Sequence, residues 1–391
     1  MNEYFATCTL GLEDALSAEL VALGATDVEA LRGGVRFFGE PELAYAANLW
    51  LRSATRVQEL LLRSEVDSPD AMYAAVQTID WSRCMTVEQT LAVEAAVRDS
   101  FSTHSGFVAL KVKDAVVDWF RERHRRRPSV DPKDPHLALH LVLRRNVMTL
   151  YRNLSGASLH KRGYRPIQVK SPLNEATAAG LLLASDWDRR SAIVDPMCGS
   201  ATFLIEAAWI AMQRAPGLGR RFAFERWPDF DRDLWIATKQ VAEERMLREL
   251  PFRFQGSDHH AGALSLAERA IRAAQVHGCV ELSQSDVDTF VPSHPFSTVF
   301  VNPPWGERLS EEESGDDVED AWTRLSHFLH RQCGGKTAYV LSGNESLTRL
   351  LGLRASRRIP VMVGPIECRL LKYEIRAKSG PAGDQDRGGS A

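Results

Sequence analysis

Hydrophobic and polar positions along this chain follow two successive rhythms. Up to about residue 155, alternating runs and helical stripes succeed one another. Tyr4–Thr9 reads as a strand, and Leu12, Ala15, Leu16, Leu20 and Leu23 fall at helical spacing with Gly24 as the stop. Gly33-Gly34 joins Val28–Leu31 to Val35–Phe38 as a hairpin, followed by a helix over Pro41–Leu49 and a strand over Val57–Arg63. A second small unit opens with the helical face of Met72, Ala75, Val76 and Ile79. It continues with a strand over Leu91–Val97 and a helix over Phe107–His124 that turns Val108, Val112, Ala115, Val116 and Trp119 inward. Pro128, Pro132 and Pro135 mark a loop, after which Leu137–Arg144 and Val147–Asn153 read as a hairpin.

Beyond about residue 170 the rhythm changes. Strands at Ala192–Asp195, Phe252–Ser257, Glu281–Ser285, Thr298–Val301 and Lys336–Ser342 interleave with helices at Phe203–Gln213, Ala261–Gln275 and Ala321–Gln332. This alternation predicts an α/β fold with a parallel, doubly wound sheet, its ligands at the carboxyl ends of the strands. Asp195, Asp258, Asp286 and Asn302 all fall at such ends. The last stretch, KSGPAGDQDRGGSA, reads as disordered.

Composition adds little to this picture, and charge adds more. With 391 residues, 44% hydrophobic and 25% charged, the chain reads as two or three soluble domains, and its net charge of −3 excludes a uniformly basic nucleic-acid binder. The charge is uneven, however. Residues 1–110 hold 7 Lys and Arg against 16 Asp and Glu, whereas residues 111–170 hold 15 against 5. Such a block is a candidate footprint for phosphates, densest in RERHRRR (121–127) and HKRGYR (160–165). The six cysteines show no C-x-x-C or zinc spacing, so neither a disulfide framework nor a metal is expected. The N-terminus lacks a signal-peptide pattern, and no apolar run approaches the ~20 residues of a membrane span, so a cytoplasmic location is expected.

Two motifs carry candidate chemistry. In FVNPPWGER, the Asn302 amide and the Pro303 carbonyl offer two acceptors able to grip both hydrogens of an exocyclic amine. Pro304 stiffens the turn, and Trp305 is expected to offer a stacking face for a base. In IVDPMCGSATF, an acid closes a strand and a small-residue turn opens a helix whose amides face a ligand. Asp258 and Asp286 are then expected to bond a ribose diol and an adenine amine.

DPMCGSAT with NPPWG resembles the cofactor and target-base motifs of class I S-adenosylmethionine-dependent amino-methyltransferases. FATCTLGLEDALSAEL, LRGGVRF, ALKVKDAVVDWF and LSGASLHKRGYR resemble the THUMP-containing bacterial guanine-N2 methyltransferases of large-subunit ribosomal RNA. The resemblance covers nearly all of residues 1–376. It implies a ferredoxin-like domain (1–65), a THUMP RNA-binding domain (66–155), a linker (156–170), a Rossmann-like methyltransferase domain (171–377) and a tail (378–391). A second methyltransferase, fused in many members, is not expected here. S-adenosylmethionine is the implied cofactor, bound by Asn174, Asp195, Pro196, Cys198, Gly199, Ser200, Ala201, Thr202, Asp258, Asp286 and Asn302, with Ala201 standing where the family carries Gly. Asn302, Pro303, Pro304 and Trp305 are the implied catalytic set. Lys111, Lys113, Arg121, Arg125, Arg126, Lys161, Arg162 and Arg165 are the expected RNA contacts, with 23S rRNA or an assembling large subunit as partner. A transfer-RNA guanine-N2 methyltransferase, and a catalytically silent RNA-binding or assembly factor, are the alternatives.

Overall fold

A computed structural model describes residues 1–165, 173–306 and 315–377. It divides into two compact units, Met1–Asp186 with Trp209–Arg248, and Trp187–Ala208 with the residues from Glu249 onward. Ser171, most of the acidic run at 311–316 and the 378–391 tail lie outside the described residues.

In the first unit, β1 (Asn2–Cys8), α1 (Glu13–Ala22), β2 (Thr26–Leu31), β3 (Gly34–Gly39), α2 (Pro41–Trp50) and β4 (Ala54–Glu65) form where the pattern puts them. Glu13 and Asp14 sit in the first turn of α1, at the positive end of its dipole. Pro41 opens α2, where its missing N–H costs no hydrogen bond. Next come α3 (Pro69–Gln77), β5 (Thr90–Arg98), α4 (Ser105–His124), the two-residue β6 (Ser129–Val130), β7 (Leu137–Arg144), β8 (Val147–Asn153) and α5 (Glu175–Ala184). Arg145 and Asn146 turn the β7–β8 hairpin with φ of +50° and +59°, the left-handed pair that tight hairpins require.

Strand β4 decides the architecture. At twelve residues it is long enough to pair with β1 over its first part and with β8 from Gln58↔Asn153 to Glu65↔Val147. One eight-stranded sheet results, in the order β2-β3-β1-β4-β8-β7-β5-β6. A continuous apolar core includes Leu16 and Leu20 of α1, Val35 and Phe37 of β3, Val112 and Val116 of α4, and Leu139 and Leu141 of β7. Arg152 joins the late segment 209–248 to this sheet. Its guanidinium bonds Glu59 at 2.6 Å and Asp229 at 2.8 Å and lies 4.5 Å from the Trp227 ring centre.

The second unit starts with β9 (Ile193–Asp195) and α6 (Thr202–Ala211). The chain then re-enters the first unit, which contains α7 (Arg232–Arg245). It returns through β10 (Phe254–Asp258), α8 (Ala261–Ala273), β11 (Val280–Gln284), β12 (Thr298–Val301), α9 (Gly315–Gln332), β13 (Thr337–Ser342), α10 (Glu345–Arg349), β14 (Arg357–Val363) and β15 (Ile366–Glu374). The sheet order is β11-β10-β9-β12-β13-β15-β14. Five strands are parallel, as expected from their alternation with helices. Two strands beyond those read from the sequence extend one edge, where β15 runs antiparallel to both β13 and β14. Gly364, at φ +62°, permits the tight return that joins β14 to β15 without a crossover helix. Pro360 is tolerated because β14 is the edge strand.

Candidate active site

Four neighbouring strand ends build the site. Asp286, Asp258, Asp195 and Asn302 close or directly follow β11, β10, β9 and β12, which lie side by side in that order. β9 is flanked by the later β10 on one side and β12 on the other. That is a topological switch point, where a parallel sheet opens a crevice.

The loop after β9 is held in shape by β10. Asp258 accepts the Gly199 N–H at 2.9 Å through one carboxylate oxygen, and the His260 N–H at 2.9 Å through the other. Cys198 N–H donates to the Ser257 carbonyl at 2.9 Å, and the Ser257 hydroxyl donates to the Pro196 carbonyl at 3.1 Å. Gly256 has no room for a side chain, since a Cβ there would meet Leu204 at 2.6 Å and Leu282 at 2.9 Å. Gly199, at φ +51°, has nothing within 4 Å of the place a Cβ would occupy, which leaves an open cradle of backbone. Ala201 also has positive φ, +58°, and is wholly buried. Ser200 and Thr202 hydroxyls lie 3.1 Å apart at the start of α6. Burial lifts Asp195 well above the usual carboxylate range, and the nearby Asp258 charge pushes the same way against the Met197 N–H. Burial, aided by both carboxylates, also pushes the Cys198 thiol up, so it stays protonated and is no nucleophile at neutral pH.

At the end of β12, the Asn302 Oδ1 is buried and has no hydrogen-bond partner among the described residues. An acceptor left in this state is costly unless a ligand completes it. The Trp322 indole N–H holds the Pro304 carbonyl at 2.7 Å, and the Trp305 indole N–H donates to the Leu341 carbonyl at 3.1 Å.

With the site in view, residues 162–372 match the family model described as RMKL-like, methyltransferase domain. The chain belongs to this methyltransferase family. Residues 3–58 match an RlmL ferredoxin-like domain and residues 66–153 a THUMP domain. A Synechocystis sp. protein named as a candidate RNA methyltransferase is 36% identical over 95% of this chain and 96% of its own. The Ribosomal RNA large subunit methyltransferase K/L of Syntrophotalea carbinolica is 39% identical over 95% of this chain and 53% of its own, so the chain spans about half of that relative. Among solved structures, SMU.472, described as a candidate methyltransferase and crystallised with SAH, superposes with a TM-score of 0.87 at 26% identity, covering 96% of this chain and 98% of its own.

In this methyltransferase several expected contacts need correction. Trp305 is only 8% exposed, with its indole pinned to β13, and is therefore an internal anchor rather than an open stacking plate. Arg162 is 4% exposed and donates to the Arg52 carbonyl, while Tyr164 is buried edge-on against Trp209. Arg165 pairs with Glu175 at 3.4 Å. The 160–165 cluster is thus largely internal wiring, and Lys161 alone of its predicted cations is exposed. Lys111 is tied to Asp70 at 2.9 Å and Lys113 to Asp114 at 2.6 Å. Arg121 and Arg126 are exposed but paired with Asp118 and Glu88. Arg125, the left-handed cap of α4 at φ +56°, and Arg127 are exposed without an ion pair among the described residues. Asn174 lies in the first unit and caps α5, accepting the Thr177 N–H at 2.8 Å. Ala201 has no exposed surface with which to touch a ligand, and serves the loop through its backbone.

Sequence reasoning missed Trp322, and also Arg324, which lies 3.3 Å from Asp286. Val318, Trp322, Leu325, Phe328 and Leu329 form the buried stripe of α9. In sequence Trp322 reads only as part of that stripe.

Proposed function

We propose that this chain transfers a methyl group from S-adenosylmethionine to the exocyclic N2 amine of a guanine in 23S ribosomal RNA. The unpartnered Oδ1 of Asn302, beside the Pro303 carbonyl and one strand from the Asp195 loop, carries this reading. The chain's residues suit the cofactor in charge and shape. Gly199 leaves an uncrowded backbone cradle, Asp286 is 50% exposed beside Arg324, and Asp258 holds its carboxylate against the loop. When bound, the cofactor supplies an electrophilic methyl on a sulfonium.

A guanine amine is a poor nucleophile because its lone pair is delocalised into the ring. Acceptance of both N–H hydrogens, by Asn302 Oδ1 and the Pro303 carbonyl, favours a pyramidal nitrogen and stabilises the positive charge that grows there. Residues 302–306 carry no general base, so the proton leaves the methylated nitrogen for water after transfer. Names of the K/L relatives support the ribosomal substrate. The grip on RNA falls to the α4 terminus, where Arg125 and Arg127 are exposed without an ion pair among the described residues.

Asn302→Ala tests the reading. Methyl transfer is expected to fall at least about a hundredfold, while RNA retention on filters and calorimetric affinity for S-adenosylmethionine change less than about twofold. Near-normal turnover refutes the role of Asn302. Side-by-side methylation of ribosomal and transfer RNA, with nucleoside mapping, identifies the substrate. No binding of S-adenosylmethionine by the unaltered protein favours the silent alternative.

A further inference from the structure

We propose that Trp322 is a positioning residue for the amine-gripping turn, a role that rests on the methyl-transfer reading above. The turn has few degrees of freedom. Proline rings lock φ at 303 and 304, and trans peptides are planar, so the direction of the Pro303 carbonyl depends mainly on the two remaining ψ angles. Two buried indoles tie the turn to the surrounding protein.

Trp322, wholly buried on α9, donates its N–H to the Pro304 carbonyl at 2.7 Å. Trp305, the next residue of the turn, donates its own N–H to Leu341 of β13 at 3.1 Å. Gly343 makes room for its ring, since a Cβ there would lie 3.2 Å from Trp305 Cε3 and 3.0 Å from Ile366 Cγ2. One carbonyl of the Pro-Pro pair is therefore occupied by protein, which assigns the Pro303 carbonyl and the unpartnered Asn302 Oδ1 to the substrate amine. Without Trp322, the Pro304 carbonyl loses a buried donor and the turn can rotate. A misplacement of about 1 Å at a reacting centre costs up to about a hundredfold in rate. Trp322 touches neither substrate nor cofactor in this scheme and acts only through the turn.

The cleanest test replaces the Trp322 indole with benzothiophene (3-benzothienylalanine incorporated at position 322), which keeps the shape and removes the N–H. Trp322→Phe serves as the encoded counterpart. Expected is a fall in kcat of about ten- to a hundredfold, with affinity for S-adenosylmethionine and KM for RNA nearly unchanged. Retention of kcat within twofold overturns the proposal. A parallel loss of kcat and cofactor affinity also overturns it, since that marks a general structural role. Misfolding of both Trp322 replacements likewise overturns it, since the indole then supports the fold as a whole and not the turn alone. Asn302→Ala, run in parallel, separates the two claims. Its full activity removes the reading itself, whereas an inactive Asn302→Ala beside a fully active benzothiophene variant removes only the role of Trp322.

Discussion

Asp195 illustrates how one side chain can work against stability in a site built for binding. It is buried, lies near Asp258, and its carboxyl titrates well above the usual range. An unfolded aspartate titrates at about pH 4, so between that pH and its folded pKa the native state binds the extra proton. Stability therefore declines as pH rises through this window. Asp195→Asn keeps an oxygen for the Met197 N–H and removes the titration. The variant is expected to melt higher than the parent near neutral pH, with a gap that narrows towards pH 4 and cofactor affinity reduced. Melting curves of both proteins from pH 4 to 8 check the sign, and a gap that widens on acidification contradicts it. Asn302 lies at the same scale. Its residue type was readable in the sequence, but the absence of a partner for Oδ1 required coordinates.

Among elements, the loop from β9 into α6 combines a readable motif with an unreadable strain. Ala201 stands where the motif led one to expect glycine, and it sits at φ +58° with its methyl buried. The left-handed backbone costs an alanine about 1–2 kcal/mol. Burial of its methyl returns about 0.8 kcal/mol, and restricting the unfolded chain relative to glycine returns about 0.4–1 kcal/mol. Ala201→Gly should therefore leave the melting temperature nearly unchanged, and affinity for S-adenosylmethionine within about twofold, because the methyl faces protein. Calorimetry checks this; a tenfold gain in affinity would place that methyl in the ligand's path. Aromatic residues mislead at this scale. NPPW correctly marks the turn, but an indole beside a sheet is large, apolar and carries one donor, so it is satisfied inside the protein, as at Leu341.

At the scale of the molecule, the basic block illustrates why a charge count is not a surface. Acidic residues from the N-terminal third answer part of it: Asp70 holds Lys111, Glu88 holds Arg126, and Glu59 joins Asp229 in drawing Arg152 inward. What remains open includes the end of α4, with Lys133, Arg144, Arg145 and Lys161 also exposed. Replacing Arg125 and Arg127 together with Ala should weaken RNA binding and flatten the plot of log affinity against log salt by about 1–2, at roughly 0.7–0.9 for each phosphate no longer neutralised. Filter binding between 50 and 200 mM salt measures this, and an unaltered slope removes these arginines from the interface.

By itself, the sequence determined the local alphabet of this protein: most strands and helices, the two stretches of differing rhythm, and the four strand-end residues. Periodicity, glycine turns and motif spacing are local quantities, and local sterics decide them. Tertiary structure alone decided that β4 joins β1 to β8 in one sheet, that the edge beyond β13 is antiparallel, that segment 209–248 belongs with the first unit, and that Arg162 and Trp305 face inward while Trp322 braces the turn. Each depends on which distant residue supplies a donor, an acceptor or an opposite charge, and a buried polar group takes the partner that packing brings within reach, whatever the separation along the chain.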